Sequence, residues 1–209
     1  MKTIDHIKVV AFDCDGVMFD SRKSNAAYYN HLLRHFKMPE LTGDQLAYAH
    51  MHTVDETLSF LFTDDKILSG VKDYRKELDY VPFLKYMEIE PGLVDLLKKL
   101  RPEYKTAVAT NRTNTMNRVL IENKIDHLFD LVVCALDVQF PKPDPELLNK
   151  VVDSFDVTKN QVLYIGDSEL DQKASEAAGI PFVAYDNLKL EADFHIRSLE
   201  EIKTLLGLS

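Results

Sequence analysis

Five short apolar runs recur along the chain, and the segment after most of them has helical spacing. This rhythm limits the folds open to it. The runs are residues 7–12, 106–109, 131–135, 162–165 and 182–184. None alternates apolar with polar residues, as a half-buried strand does, so each is expected to be covered on both faces. Amphipathic stretches at 93–100, 114–123, 145–155 and 169–178 lie between them. Strand–helix alternation of this kind implies right-handed crossovers and helices on both faces of a parallel sheet. The expected fold class is α/β, a doubly wound, Rossmann-like parallel sheet.

One segment breaks the rhythm. Residues 21–87 carry only helical patterns, at 25–36, 44–62 and 66–78, with Thr42 or Asp44 available to cap the second. Pro82 and then Pro91-Gly92 punctuate the return to alternation. The expected organisation is a discontinuous core of residues 1–20 and 88–209, with an α-helical cap, residues 21–87, inserted after the first strand.

Composition narrows the function classes. The chain has 209 residues and a net charge of −9, which argues against nucleic acid or an anionic membrane as partner, since phosphates need clustered cations. The longest uninterrupted apolar stretch, residues 131–136, is about a third of a bilayer span. Two cysteines, Cys14 and Cys134, give no disulfide framework, and no signal-peptide pattern precedes the first strand. A cytoplasmic location is expected.

The chemistry gathers at strand ends. The first run ends in Asp13-Cys14-Asp15-Gly16, and the fourth in Gly166-Asp167-Ser168-Glu169-Leu170-Asp171. Each has an ordinary reading as well: a solvated turn for the first, a capped helix N-terminus for the second. The second run ends in Thr110-Asn111-Arg112. In a doubly wound sheet all strand carboxyl ends share one edge, where ligands bind, so these groups converge. Converging carboxylates repel unless a cation sits among them, and oxygen-only ligands suit Mg²⁺. Lys142, in Phe140-Pro141-Lys142-Pro143-Asp144-Pro145, is held in a stiff loop from which its ammonium can pair with Asp13 and an anionic substrate. A surface lysine ahead of a helix with Pro145 at its first position is the alternative. A nucleophilic carboxylate, a second carboxyl, hydroxyl and amide donors, a lysine and Mg²⁺ make a set suited to phosphoryl transfer. No Walker loop is present.

Asp13-Cys14-Asp15-Gly16-Val17, Thr110-Asn111, Lys142-Pro143 and the 166–171 segment, in that order, resemble the four motifs of the haloacid dehalogenase-like superfamily. Pro91-Gly92 and Ala178-Gly179-Ile180-Pro181 add to the likeness, which is greatest to its phosphoglycolate phosphatase-like and β-phosphoglucomutase-like branch. The resemblance implies that Asp13 attacks phosphorus and becomes an aspartyl-phosphate. Asp15 would protonate the leaving oxygen and then activate water, its backbone carbonyl binding Mg²⁺. Thr110, Asn111 and Lys142 would hold the phosphoryl group. Asp167 would ligate the metal with Asp171 in support. Dehalogenases and phosphonatases of the superfamily lack an aspartate at the place of Asp15, which favours a phosphate ester. Cys14 departs from the larger apolar residue common there and reads as a packing variant. The cap loop that selects substrate in the family corresponds to His50-Met51-His52-Thr53, so His50 and His52 are candidate substrate contacts, with Arg112 as a candidate for a second anionic group. The expected protein is a Mg²⁺-dependent phosphatase of a small phosphorylated metabolite, a monomer or weak homodimer. A phosphomutase uses the same core residues and stays open, as does a non-catalytic metabolite-binding relative.

Overall fold

The computed structural model of the chain describes Ile4, residues 6–101 and residues 103–208, without the side chains of His50 and Met51. The chain divides into two compact units, Met1–Phe19 with Ile89–Ser209, and Asp20–Glu88. The first begins with β1 (Val9–Phe12), and β2 (Phe19–Asp20) leads out of it. The second holds α1 (Arg22–His35), α2 (Gly43–Met51), α3 (Val54–Leu61), α4 (Asp65–Glu77) and α5 (Val81–Leu84). The chain returns through β3 (Glu88–Ile89), which pairs with β2 as a separate two-stranded sheet. There follow α6 (Leu93–Leu100), β4 (Lys105–Thr110), α7 (Met116–Glu122), β5 (Leu131–Cys134) and α8 (Glu146–Phe155). The last elements are β6 (Val162–Gly166), α9 (Glu169–Ala178), β7 (Phe182–Tyr185), β8 (Phe194–Ile196) and α10 (Glu200–Leu205).

The main sheet has six parallel strands in the order β5-β4-β1-β6-β7-β8, the Rossmann-like α/β architecture expected. β1 is central because every one of its residues is apolar and fully buried, as a strand covered on both faces requires. The chain fills one side of β1 with β4 and β5, then crosses to the other with β6, β7 and β8. The carboxyl ends of β1, β4 and β6 therefore meet at the point where the winding reverses. Register fixes the alignment: Phe12 lies opposite Val108 on one side and Ile165 on the other.

Three local departures from the sequence pattern have physical causes. The 44–62 pattern is two helices: Thr53 stops the first and caps the second, its hydroxyl accepting from the Glu56 N–H (3.3 Å) while the Glu56 carboxylate accepts from the Thr53 N–H (2.9 Å). β8 was not expected, because it is a three-residue edge strand with His195 exposed, too short for a pattern. Pro145 stands at the N-cap of α8, one residue ahead of the first helical position. Among the described residues no helix is long and apolar enough to cross a membrane.

Each unit has its own apolar centre. In the helical unit Tyr28, Leu32, Leu58, Phe62, Val71 and Phe83 pack together. In the sheet unit α6 buries Leu93, Leu96, Leu97 and Leu100 completely, a stripe at i, i+3, i+4 and i+7. Replacing Leu97 by Ala removes a fully buried side chain from this stripe. It should cost about 2–5 kcal/mol, read as a lower urea midpoint at unchanged m-value.

Candidate active site

The site begins where β1 stops. The Asp13 N–H still donates to the Ile165 carbonyl (2.9 Å), so the ladder carries the residue to the sheet edge before the chain turns. Its carboxylate is nearly buried there and meets Lys142, whose Nζ donates to Asp13 Oδ1 at 2.7 Å, Asp171 Oδ1 at 2.6 Å and the Tyr164 hydroxyl at 2.8 Å. The Ala109 carbonyl is a longer fourth neighbour at 3.4 Å, so the three protons of the ammonium are fully engaged. Lys142 is thus a buried member of the site, not a surface lysine.

The loop that delivers Lys142 is pinned by Asn111. The Asn111 side-chain amide donates to the Lys142 carbonyl (2.8 Å) and accepts from its N–H (2.9 Å). The side chain expected to hold a phosphoryl group is here occupied in fixing the lysine. Thr110, buried at the end of β4, accepts through its hydroxyl from the Arg112 N–H (3.2 Å).

Asp171 takes the capping reading of its position and also joins the Lys142 cluster. Its Oδ2 accepts from the backbone N–H (3.0 Å) and hydroxyl (2.5 Å) of Ser168, closing a capping box at the start of α9. Its Oδ1 takes Lys142 and the Tyr164 hydroxyl (2.7 Å). Two glycines let these groups approach. A Cβ on Gly166 would lie 2.4 Å from the Asp171 Cβ, and one on Gly16 would lie 2.0 Å from Asp167 Oδ2, at a φ of +83°.

Charge is unbalanced. Carboxylate oxygens of Asp13, Asp167 and Asp171 lie within 4.8 Å of one another, against the one ammonium of Lys142. Burial would push the Lys142 ammonium down, but Asp13 and Asp171 outweigh it and hold it above its ordinary value. Asp171 lies below the usual carboxylate range, because Lys142, Ser168 and Tyr164 overcome its burial. Asp13 is raised to about 6 by burial, with Lys142 opposing and Asp171 and Asp15 adding to the rise. Asp167 is raised well above its ordinary value by burial and then by Asp171 and Asp13. Its carboxylate makes no side-chain hydrogen bond or ion pair among the described residues. A partly exposed carboxylate with no protein donor beside two others, all hard oxygen donors, fits a divalent cation.

Asp15 stands apart from that cluster. Arg112 grips it in a two-point bond, Nε to Oδ2 at 3.0 Å and Nη2 to Oδ1 at 2.5 Å. The arginine expected to meet a second anionic group thus meets Asp15. Cys14 is fully buried and its thiol is pushed well up, first by burial, as suits a packing residue. His52 lies at the α2–α3 junction, exposed and stacked on Tyr48 at 3.7 Å between ring centroids. The His50 side chain lies outside the described residues.

Sequence reasoning missed Tyr164, whose hydroxyl touches Lys142 and Asp171, and Asn187, whose amide donates to the Asp167 carbonyl at 2.9 Å. Tyr164 sat inside an apolar run, where its ring alone explained it. Asn187 lies past β7 in a turn with no pattern.

A central strand that ends in a lysine-paired carboxylate, in a sheet of this winding, defines a Rossmann-like α/β protein with an acidic site at its carboxyl edge. A family model described as haloacid dehalogenase-like hydrolase matches residues 10–185, and the chain belongs to that family. A superfamily hydrolase of subfamily IA from Geobacter sulfurreducens, solved by crystallography, has 34% identity and a TM-score of 0.85 over 99% of both chains. CbbY of Rhodobacter sphaeroides, solved in complex with phosphate, shares the fold with a TM-score of 0.76 at 18% identity, covering 97% of this chain and 100% of its own. A phosphoglycolate phosphatase of Aliivibrio fischeri is 28% identical over 186 residues, 84% of this chain and 82% of its own. The pyrophosphatase PpaX of Bacillus mycoides is 24% identical over 180 residues, 85% and 83% of the two chains. Within its family the chain groups with phosphatases.

The raised Asp167 carboxyl makes a signed prediction. With its folded-state value above the unfolded one, ionised Asp167 removes stability as pH rises past the unfolded carboxylate range. Asp167→Asn in EDTA at pH 7 should melt a few degrees above the wild type, a gain on the order of 1 kcal/mol. Added Mg²⁺ should raise the wild-type melting temperature and leave the variant unmoved. Thermal scans with and without Mg²⁺ check both.

Proposed function

We propose that the chain is a Mg²⁺-dependent phosphatase that hydrolyses a small phosphomonoester through an aspartyl-phosphate on Asp13. The observation that carries this reading is the buried Asp13 carboxylate held by Lys142, which is itself fixed by Asp171 and Tyr164. An ammonium there orients one carboxylate oxygen, leaving the other to attack phosphorus, and offsets charge on the incoming phosphoryl group. The P–O ester bond breaks as the Asp13–phosphorus bond forms, and Asp15 protonates the departing oxygen. Asp15 then takes a proton from water, which attacks phosphorus and releases inorganic phosphate and Asp13. Thr110 accepts from the Arg112 N–H, so its own O–H is a donor for the phosphoryl oxygens.

Mg²⁺ held by Asp13, Asp167 and the Asp15 carbonyl, with Asp171 in support, would supply positive charge to the transferring group. The activities named for the relatives from Aliivibrio fischeri and Bacillus mycoides support a small anionic phosphate compound as substrate. Residues 21–87 serve in this reading as the cap, the segment proposed to select substrate.

Phosphate release is the test, on phosphoglycolate, inorganic pyrophosphate, sugar phosphates, nucleoside monophosphates and an aryl phosphate, with and without Mg²⁺. Release should need Mg²⁺ and fall by at least about 10³-fold in Asp13→Asn, with the fold retained. Near-normal turnover by Asp13→Asn would sink the covalent route.

Lys142→Ala should cut turnover by about 10²–10³-fold. It should also destabilise by about 3–5 kcal/mol, because Asp13 and Asp171 are left buried without their cation. A lysine on an exposed loop would carry no such stability cost. Kinetics paired with denaturant titration separate the two effects.

A further inference from the structure

Arg112 directly follows the Thr110-Asn111 pair, yet its guanidinium is turned away from bulk solvent and onto Asp15. Its side chain is only 7% exposed. Nε and Nη2 fork onto the two oxygens of Asp15, and Nη1 donates to the hydroxyl of buried Thr115 at 3.2 Å. The Arg112 backbone is also fixed, its N–H donating to the Thr110 hydroxyl and its carbonyl accepting from the Ala135 N–H at 3.1 Å. Thr115 thus anchors the guanidinium beside Asp15, and the backbone that carries it is fixed at both its N–H and its carbonyl. The Asp15 carboxylate keeps 35% of its surface open. Gly16 and Phe19 close the turn behind it, with the Gly16 N–H on the Phe19 carbonyl at 2.9 Å.

We propose that Arg112 is a positioning residue for Asp15, and that its fork sets the plane of the carboxylate that activates the hydrolytic water. A planar fork fixes a carboxylate at both oxygens, so it defines the direction of the remaining lone pairs. A lysine ammonium fixes one oxygen and leaves rotation free. The inference rests on the phosphatase reading above. The step it governs is the second one. Water forms its bond to phosphorus, the Asp13–phosphorus bond breaks, and the water proton passes to Asp15. Misplacement of the receiving oxygen slows that step, and it leaves the attack of Asp13 unchanged where the leaving group departs without a proton from Asp15.

The two steps separate with an aryl phosphate, whose leaving group departs without a proton. kcat/KM then reports events up to formation of the phosphoenzyme, and kcat reports its hydrolysis once that is slow. Arg112→Lys keeps a cation beside Asp15 and removes the fork. It should lower kcat by about 10²-fold, the scale of a misplaced catalytic group. It should leave kcat/KM for p-nitrophenyl phosphate within a few-fold and show a burst of p-nitrophenolate close to the enzyme concentration. Thr115→Ala, which removes only the third anchor, should shift kcat the same way by a few-fold and serves if Arg112→Lys does not fold.

Equal loss of kcat and kcat/KM with no burst would mean that the arginine is structural and would overturn the proposal. A rise in KM alone, confined to substrates with a second anionic group, would overturn it in favour of direct substrate contact. A folded wild type that frees no phosphate from any ester overturns the phosphatase reading, and this inference with it. An active wild type with unaltered variants overturns this inference alone.

Discussion

One ammonium holds the centre of the sheet unit together. Lys142 reaches the end of β1 through Asp13, the interior of β6 through Tyr164 and the first turn of α9 through Asp171. Asn111, just past β4, pins its backbone. Segments from three separate parts of the sequence, β1, the end of β4 and the β6–α9 junction, thus depend on one buried charge. Such a cluster is a poor source of net stability, because each ion must leave water before it meets its partner. Its effect is geometric: no member can turn without unpairing another, and an unpaired buried charge is costly. The apolar packing of β1 and α6 supplies the stability that this arrangement spends.

The same cluster carries more negative charge than Lys142 offsets, and the local backbone keeps it so. Gly16 and Gly166 remove the two side chains that would hold Asp167 and Asp171 away. Both departures from ordinary local preference lie within one small volume, where consistency between sequence and structure is expected to give way to function. A fold selected for stability alone would place Asn or Ser at Asp167.

Much of this was legible in the chain. The doubly burying strands could be read because VVAF and VLYI offer no polar face, and α6 because four leucines repeat at helical spacing. Convergence of Asp13, Asp167 and Asp171 followed from topology, since a parallel winding sends strand ends to one edge. Beyond the Lys142–Asp13 pair, what could not be read was partnership between side chains. The apolar neighbours of Tyr164 hid the use of its hydroxyl. Asn111 and Arg112 have donors suited to an anion, and only coordinates reveal that Lys142 and Asp15 receive them. The break at Thr53 is encoded in Thr53-Val54-Asp55-Glu56, a capping signal that lies inside a longer apolar period and is masked by it.

Asp13 and Asp15, two residues apart, receive different cations, and under the proposed function the difference matches what each carboxylate would do. A nucleophile needs one oxygen exposed to its target and a charge nearby that does not cover it. An ammonium, a compact point charge satisfied from several directions, suits that need and ties Asp13 to the scaffold through Asp171 and Tyr164. A proton-handling carboxylate needs a fixed plane and an open edge. A fork that takes both oxygens from one side while 35% of the side-chain surface stays accessible gives both. Had the two cations been exchanged, the fork would have covered the nucleophile and the ammonium would have let the acid–base group rotate. In the proposed reading, pairing lysine with the first aspartate and arginine with the second would divide two chemically identical side chains into two roles, by environment alone.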